Sequence, residues 1–109
     1  MKKYPLGEFE EIVLLTVGVL FNEAYGVSIK DELEKRLQRK VSVGALQSAL
    51  RRMEEKGYLE SKFGESANAR GGKRKRYFTI TAYGKAALAH AKELRQNLWD
   101  DIPDIAFDF

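Results

Sequence analysis

Apolar residues along this chain recur at helical spacing in four stretches and alternate at strand spacing in two short ones. Residues 7–21 predict a first helix that is apolar on nearly every side from Ile12 onward, and such a helix wants burial all round. Turn residues at 22–26 close it. Residues 27–37 predict a second helix with Ile29, Leu33 and Leu37 at four-residue spacing and Lys30, Glu34 and Lys35 on its outer side. Ser42 stands where an N-cap belongs, so a third helix begins at Val43, with Leu46, Leu50 and Met53 inward and Gly44, Gln47, Ser48 and Arg51 along a polar stripe. Past Gly57, residues 59–63 and 76–80 read as strands, and the polar, glycine-containing stretch between them makes a hairpin with a long basic tip. Alternation in the second strand sends Arg76, Phe78 and Ile80 one way and Lys75, Tyr77 and Thr79 the other. Phe78 and Ile80 are expected in the core, while Tyr77 is open between packing on a helix and meeting a partner. Thr81 caps a last helix over residues 82–101. The expected architecture is mainly α with a small β-hairpin wing.

Two features ask for a partner. The stripe at Gly44, Gln47, Ser48 and Arg51 is small and polar, which suits the reading of base edges, and Ser42 directs the first free N–H groups of its helix ahead, where a phosphate fits. The last helix carries Leu88, Ala91, Leu94, Leu98 and Ile102 at three- and four-residue spacing, a stripe too long for its own subunit to cover. With part of the first helix, around Ile12, it is expected to meet a second copy, though a conventional monomer core would also take Ile12. Trp99 lies beside that stripe. Beyond Pro103, Ile105, Phe107 and Phe109 alternate with small or acidic residues, a tail that either docks or frays.

Charge changes the picture through its placement. The net charge of the 109 residues is only +3, yet Arg70, Lys73, Arg74, Lys75 and Arg76 put five cations in seven residues, and Asp100, Asp101, Asp104 and Asp108 put four anions in the last ten. A basic wing held away from an acidic tail offers one attractive face to phosphate, whereas an isolated charge run is as often a solvated loop. Gly71 and Gly72 permit close approach to a phosphate, but any tight turn wants glycine too. There is no cysteine, hence no disulfide framework or thiol chemistry, in keeping with the cytoplasm. The longest apolar run, residues 12–21, is too short to span a bilayer and follows Glu8, Glu10 and Glu11, so neither a membrane helix nor a secretory leader is expected.

Catalysis finds little material. His90 is the only histidine, no second ligand stands at metal spacing, and the carboxylates are scattered near cations as in ordinary salt bridging. Gly71-Gly72 precedes a strand where phosphate-binding fingerprints precede a helix. Neither enzyme nor cofactor is expected.

The segments LGEFEEIVLL, YGVSIKDEL, VSVGALQSALRRMEEKGYL, GGKRKRYFTIT and AYGKAAL, in that order over about residues 6–88, resemble the PadR family of bacterial transcriptional regulators. The resemblance implies a winged helix-turn-helix over residues 1–81 and a C-terminal dimerisation helix and tail over 82–109. It further implies a homodimer that binds double-stranded DNA and represses transcription, often relieved by a small aromatic or hydrophobic effector. In such a motif the second helix braces the third and touches the DNA backbone, which makes Ser28 and Lys30 candidate phosphate contacts. Trp99 becomes a candidate ligand residue, the alternative being that it anchors the dimer or covers the first helix. Many relatives carry tyrosine where this chain has Gln47 and threonine where it has Ala45. Glutamine can grip adenine through two hydrogen bonds and tyrosine cannot, so their operator preference does not transfer. Two other classes fit the same pattern: a winged-helix module for a protein or RNA partner, and a small-molecule sensor without DNA activity. A deep, narrow A-form major groove would not readily admit the polar stripe, which weighs against RNA.

Overall fold

The computed structural model describes residues 4–64 and 74–109. Its elements run α1 (Glu8–Leu20), α2 (Gly26–Leu37), α3 (Val43–Glu55), β1 (Leu59–Phe63), β2 (Arg76–Ile80) and α4 (Ala82–Asp101), with 3-10 turns at Phe21–Glu23 and Asp104–Phe107. The hairpin is antiparallel, in register from Leu59 opposite Ile80 to Phe63 opposite Arg76. Arg70, Gly71, Gly72 and Lys73 lie outside the described residues.

Caps set the helix starts. Ser42 Oγ accepts the Ala45 N–H at 3.2 Å and Thr81 Oγ accepts the Gly84 N–H at 3.0 Å, so α3 and α4 begin where the sequence places them. The second helix starts one residue early, at Gly26, because Ser28 Oγ accepts the Tyr25 N–H at 3.0 Å and makes Tyr25 the cap. The first is trimmed at both ends: Gly7 is its cap, and Phe21, at φ 49°, turns the chain out.

The core gathers Val13, Leu14 and Val17 of α1, Ile29 and Leu33 of α2, and Leu46, Ala49, Leu50 and Met53 of α3 against Tyr58, Leu59, Phe78 and Ala87. Each leucine- or isoleucine-sized side chain so buried contributes about 1.5–3 kcal/mol. Phe78 is buried as expected; Ile80 is only half-buried, spread over Gly18 at the edge of a two-stranded sheet.

Two carboxylates tie the third helix down. Glu10 of α1 is buried and accepts from Gly7 N–H at 2.8 Å, Lys56 Nζ at 3.0 Å and Arg52 Nε at 3.1 Å. Burial pushes its carboxyl upward, but the Gly7 N–H and the two cations outweigh it, and the group is held below its ordinary 4.5. Glu34 of α2, expected on the outer side, is half-buried because it closes the turn into α3: it accepts the Val41 N–H at 2.8 Å and pairs with Lys30 at 3.2 Å. The Val41 N–H first, and Lys30 second, lower its carboxyl as well.

Only the start of α4 packs into the body, through Gly84 and Ala87. Ile12 and Leu88 rest on the edge of the subunit's own core, Ala91 and Ile102 are half-buried, and Leu94 and Leu98 stand open. Arg95 reaches back to Glu11 at 2.8 Å, and the molecule extends to 64 Å along its longest axis. Three helices, with α2 and α3 as the helix-turn-helix and the hairpin as wing, followed by a long terminal helix, form a winged helix-turn-helix.

Candidate nucleic-acid interface

The outer face of α3 follows from its inner one. With Leu46, Ala49, Leu50 and Met53 committed to the core, Gly44, Gln47 and Arg51 are exposed and Ser48 half-exposed. A Cβ added at Gly44 would meet only Ser42 Oγ, at 3.7 Å, so the face is low and open there. Gln47 Nε2 would lie 3.4 Å from a Cβ at Gly26, which places the amide beside the start of α2.

Opposite this face stands the base of the wing. A groove of about 800 Å³ runs between them, walled by Tyr25, Gly26 and Val27, by Gln47, Leu50, Arg51 and Glu54, and by Arg74, Lys75, Arg76 and Phe78. Gln47 and Arg51 are thus brought to the same space as Arg74 and Lys75. The wing is held in place by backbone and rings: Phe78 N–H donates to the Ala24 carbonyl at 2.8 Å, Tyr77 meets Tyr25 edge-on with centroids 5.5 Å apart, and Lys75 Nζ sits 4.3 Å from the Tyr25 ring centroid. Tyr77 therefore packs on the start of α2.

Ser28 and Lys30 stand differently. The Ser28 hydroxyl, besides accepting from Tyr25 N–H, lies within donating reach of the Glu23 and Tyr25 carbonyls, and Lys30 is half-buried in its pair with Glu34. Their polar atoms serve the start of α2 and its turn into α3. Contributors to the groove that the sequence did not point to include Tyr25, Val27 and the acidic Glu54. Val27 is 63% exposed at the start of α2, a feature that only the placement of that helix reveals.

Residues 14–90 match the transcriptional regulator PadR-like family. The chain belongs to that family. No curated protein matches its sequence. Among solved structures, a PadR family regulator from Clostridium difficile R20291 is similar at 26% identity, with 82% of this chain and 91% of that one covered and a TM-score of 0.61. A complex of the H. salinarum protein RosR is similar at 25% identity over 91% and 78%, with a TM-score of 0.69. A PadR-like transcription factor from Bacteroides fragilis shares the fold at 24% identity, 84% of each chain and a TM-score of 0.70. This PadR-like regulator is therefore a DNA-binding protein of the winged-helix kind, from a family of regulators and not of enzymes. Among its described residues no cluster of three or more His, Cys, Asp or Glu side chains is placed to hold a metal, and no helix is long and apolar enough to cross a membrane.

A second, apolar groove of about 400 Å³ lies between α1 and α4, floored by Leu15, Leu88, Ala89 and Trp99 and edged by Lys85, Lys92 and Arg95. Trp99 is 66% exposed and touches Phe107 of the tail, with ring centroids 6.1 Å apart. His90, exposed on α4, rests against the ring of Tyr4 at 5.3 Å.

Proposed function

We propose that the protein is a homodimeric cytoplasmic repressor that reads its operator with the start of α3. The observation that carries the reading is the shared groove, with Gln47 and Arg51 on one wall and Arg74 and Lys75 on the other. Gln47, Ser48 and Arg51 enter the major groove, with Gly44 allowing close approach and Ser42 presenting helix N–H groups to a phosphate. Arg74 and Lys75, with Arg70 and Lys73 shortly before them in the sequence, hold phosphates or the adjacent minor groove. Pairing α4 with its symmetry mate through Leu88, Ala91, Leu94, Leu98 and Ile102, with Ile12 of α1 alongside, sets two such heads for half-sites ~34 Å apart. A small aromatic or hydrophobic effector entering beside Trp99 relieves repression by favouring a different spacing of the heads, which requires unequal affinity for the two states.

Fluorescence anisotropy with labelled duplex from immediately upstream of the gene, against a scrambled duplex and across a salt series, tests this. Preferential binding that survives moderate salt is expected. Gln47→Ala should change the ranking of sequences, by about 1–3 kcal/mol at the affected base pair, whereas Arg74→Ala should weaken all duplexes alike and flatten the salt slope. Equal weakening of every sequence by Gln47→Ala would remove its base-reading role.

A further inference from the structure

Glu54 is the single acidic side chain among the described residues that wall the groove between α3 and the wing. It is bound in a closed polar ring. Ser61 Oγ donates to Glu54 Oε2 at 2.6 Å, Arg76 Nε donates to Ser61 Oγ at 2.8 Å, and Arg76 Nη2 approaches Glu54 Oε1 and Oε2 at 3.2 and 3.4 Å. The guanidinium also lies over the rings of Phe63 and Phe78, 5.7 and 5.9 Å from their centroids.

Stability does not explain this ring, because the Arg76 and Glu54 side chains are 51% and 31% exposed and such an ion pair contributes little to folding. Its effect is on charge and direction. Arg76 opens β2 opposite Phe63; left free, it would add a contact to phosphate that every sequence satisfies equally. Paired with Glu54, its charge is cancelled locally and its fork is turned to the protein. Arg74 and Lys75, two residues and one residue earlier on the same edge of the groove, are exposed.

Resting on the DNA reading of this groove, we propose that Glu54 is a specificity-determining residue: it withholds Arg76 from the phosphate backbone and so lowers sequence-independent binding relative to operator binding. Ser61 is the positioning residue that fixes the pair.

The test compares Glu54→Gln with Glu55→Gln, which makes the same charge change one residue further along α3 and outside the ring. Binding to random and to operator duplexes is followed across a salt series. Glu54→Gln should raise random-duplex affinity several-fold, lower the operator-to-random ratio, and steepen the slope of log K against log salt by about 0.9, the value of one phosphate contact. Adding Arg76→Gln should cancel that gain and return random binding to near the wild-type level. Ser61→Ala, a smaller perturbation that keeps both charges, should move the ratio in the same direction. The inference is overturned if Glu54→Gln behaves as Glu55→Gln does, if the gain survives loss of Arg76, or if Glu54→Gln weakens random and operator binding together as a structural brace would. Failure of the unaltered protein to bind any duplex at low salt would instead overturn the DNA reading, and this inference with it.

Discussion

Lys56, at the C-terminal end of α3, donates to both carboxylate oxygens of Glu10 on α1, at 3.0 and 3.1 Å, and to the Pro5 carbonyl at 3.0 Å. The helix proposed to read DNA is thus fastened at its far end to the first helix and to the segment before it. Arg52, one turn earlier, takes the same carboxylate. A buried anion with two cations and a backbone N–H holds α3 against rotation about its own axis, the motion that would swing Gln47 and Arg51 out of register with the wing.

That arrangement makes stability depend on acid. The Glu10 carboxyl is held below 4.5, so in the folded state it keeps its charge to lower pH than in the unfolded chain. Its contribution is fully present above the unfolded value and is lost as pH falls through the folded one. Thermal melts should show the wild type and Glu10→Gln well separated at neutral pH, by about 2 kcal/mol given that Lys56 and Arg52 can re-solvate, and converging as pH falls below 4.5 and through the lowered value. A constant gap across that range would mean the loss is packing and not charge.

Gly84 sits where the start of α4 packs against Tyr58, in the turn between α3 and β1. A Cβ there would collide with the Tyr58 carbonyl oxygen and come within 3.0 Å of Ile80 Cγ2. The Tyr58 backbone is not free to give way: its carbonyl accepts the Thr81 N–H at 3.1 Å, and its side chain is wholly buried. Gly84→Ala should therefore cost about 2–4 kcal/mol despite alanine's higher helix propensity, read as a drop in melting temperature or denaturant midpoint. A gain in stability would show that α4 shifts to accommodate the methyl.

How far these features were legible depends on range. The inner face of α3 and both serine and threonine caps follow from spacing within four residues, and Leu46, Leu50, Met53, Ser42 and Thr81 are where the pattern puts them. The strands are also where alternation predicts them. What escaped is polar and long-range. Glu10 reads as one of three acids opening a helix, and nothing local tells that Arg52 and Lys56, over forty residues on, will bury it. Arg76 reads as one more wing cation until the hairpin register brings it and Ser61 under Glu54. Ser28 shows the converse: a hydroxyl near a helix start suits both a phosphate and its own backbone, and the local partner is always in reach.

Tyr25 should matter to the wing as a ring and not as a hydroxyl. It meets Tyr77 edge-on and carries Lys75 over its ring. Tyr25→Phe should leave stability and duplex affinity close to the wild type. Tyr25→Ala should lower stability by about 1–2 kcal/mol and weaken duplex binding beyond what the melt explains, because Lys75 loses the surface that aims it. Equal effects from the two variants would assign the role to the hydroxyl.

Self-association is read most directly at the open half of α4. Leu94, Leu98 and Trp99 are 56%, 61% and 66% exposed, more apolar surface than one helix ordinarily leaves in water. In a twofold dimer each substitution acts twice, so Leu98→Asp should remove roughly 3–6 kcal/mol of association, a dissociation constant higher by about two to four orders of magnitude. Sedimentation at micromolar concentration should give a dimer for the wild type and a monomer for Leu98→Asp, with unchanged circular dichroism because the site lies beyond the packed start of the helix. The single tryptophan supplies an independent reading: its emission should shift to the blue as wild-type concentration rises and stay at the water-exposed position in the variant. A wild type that sediments as a monomer, with emission independent of concentration, would leave the stripe to a different partner and remove the half-site spacing from the mechanism.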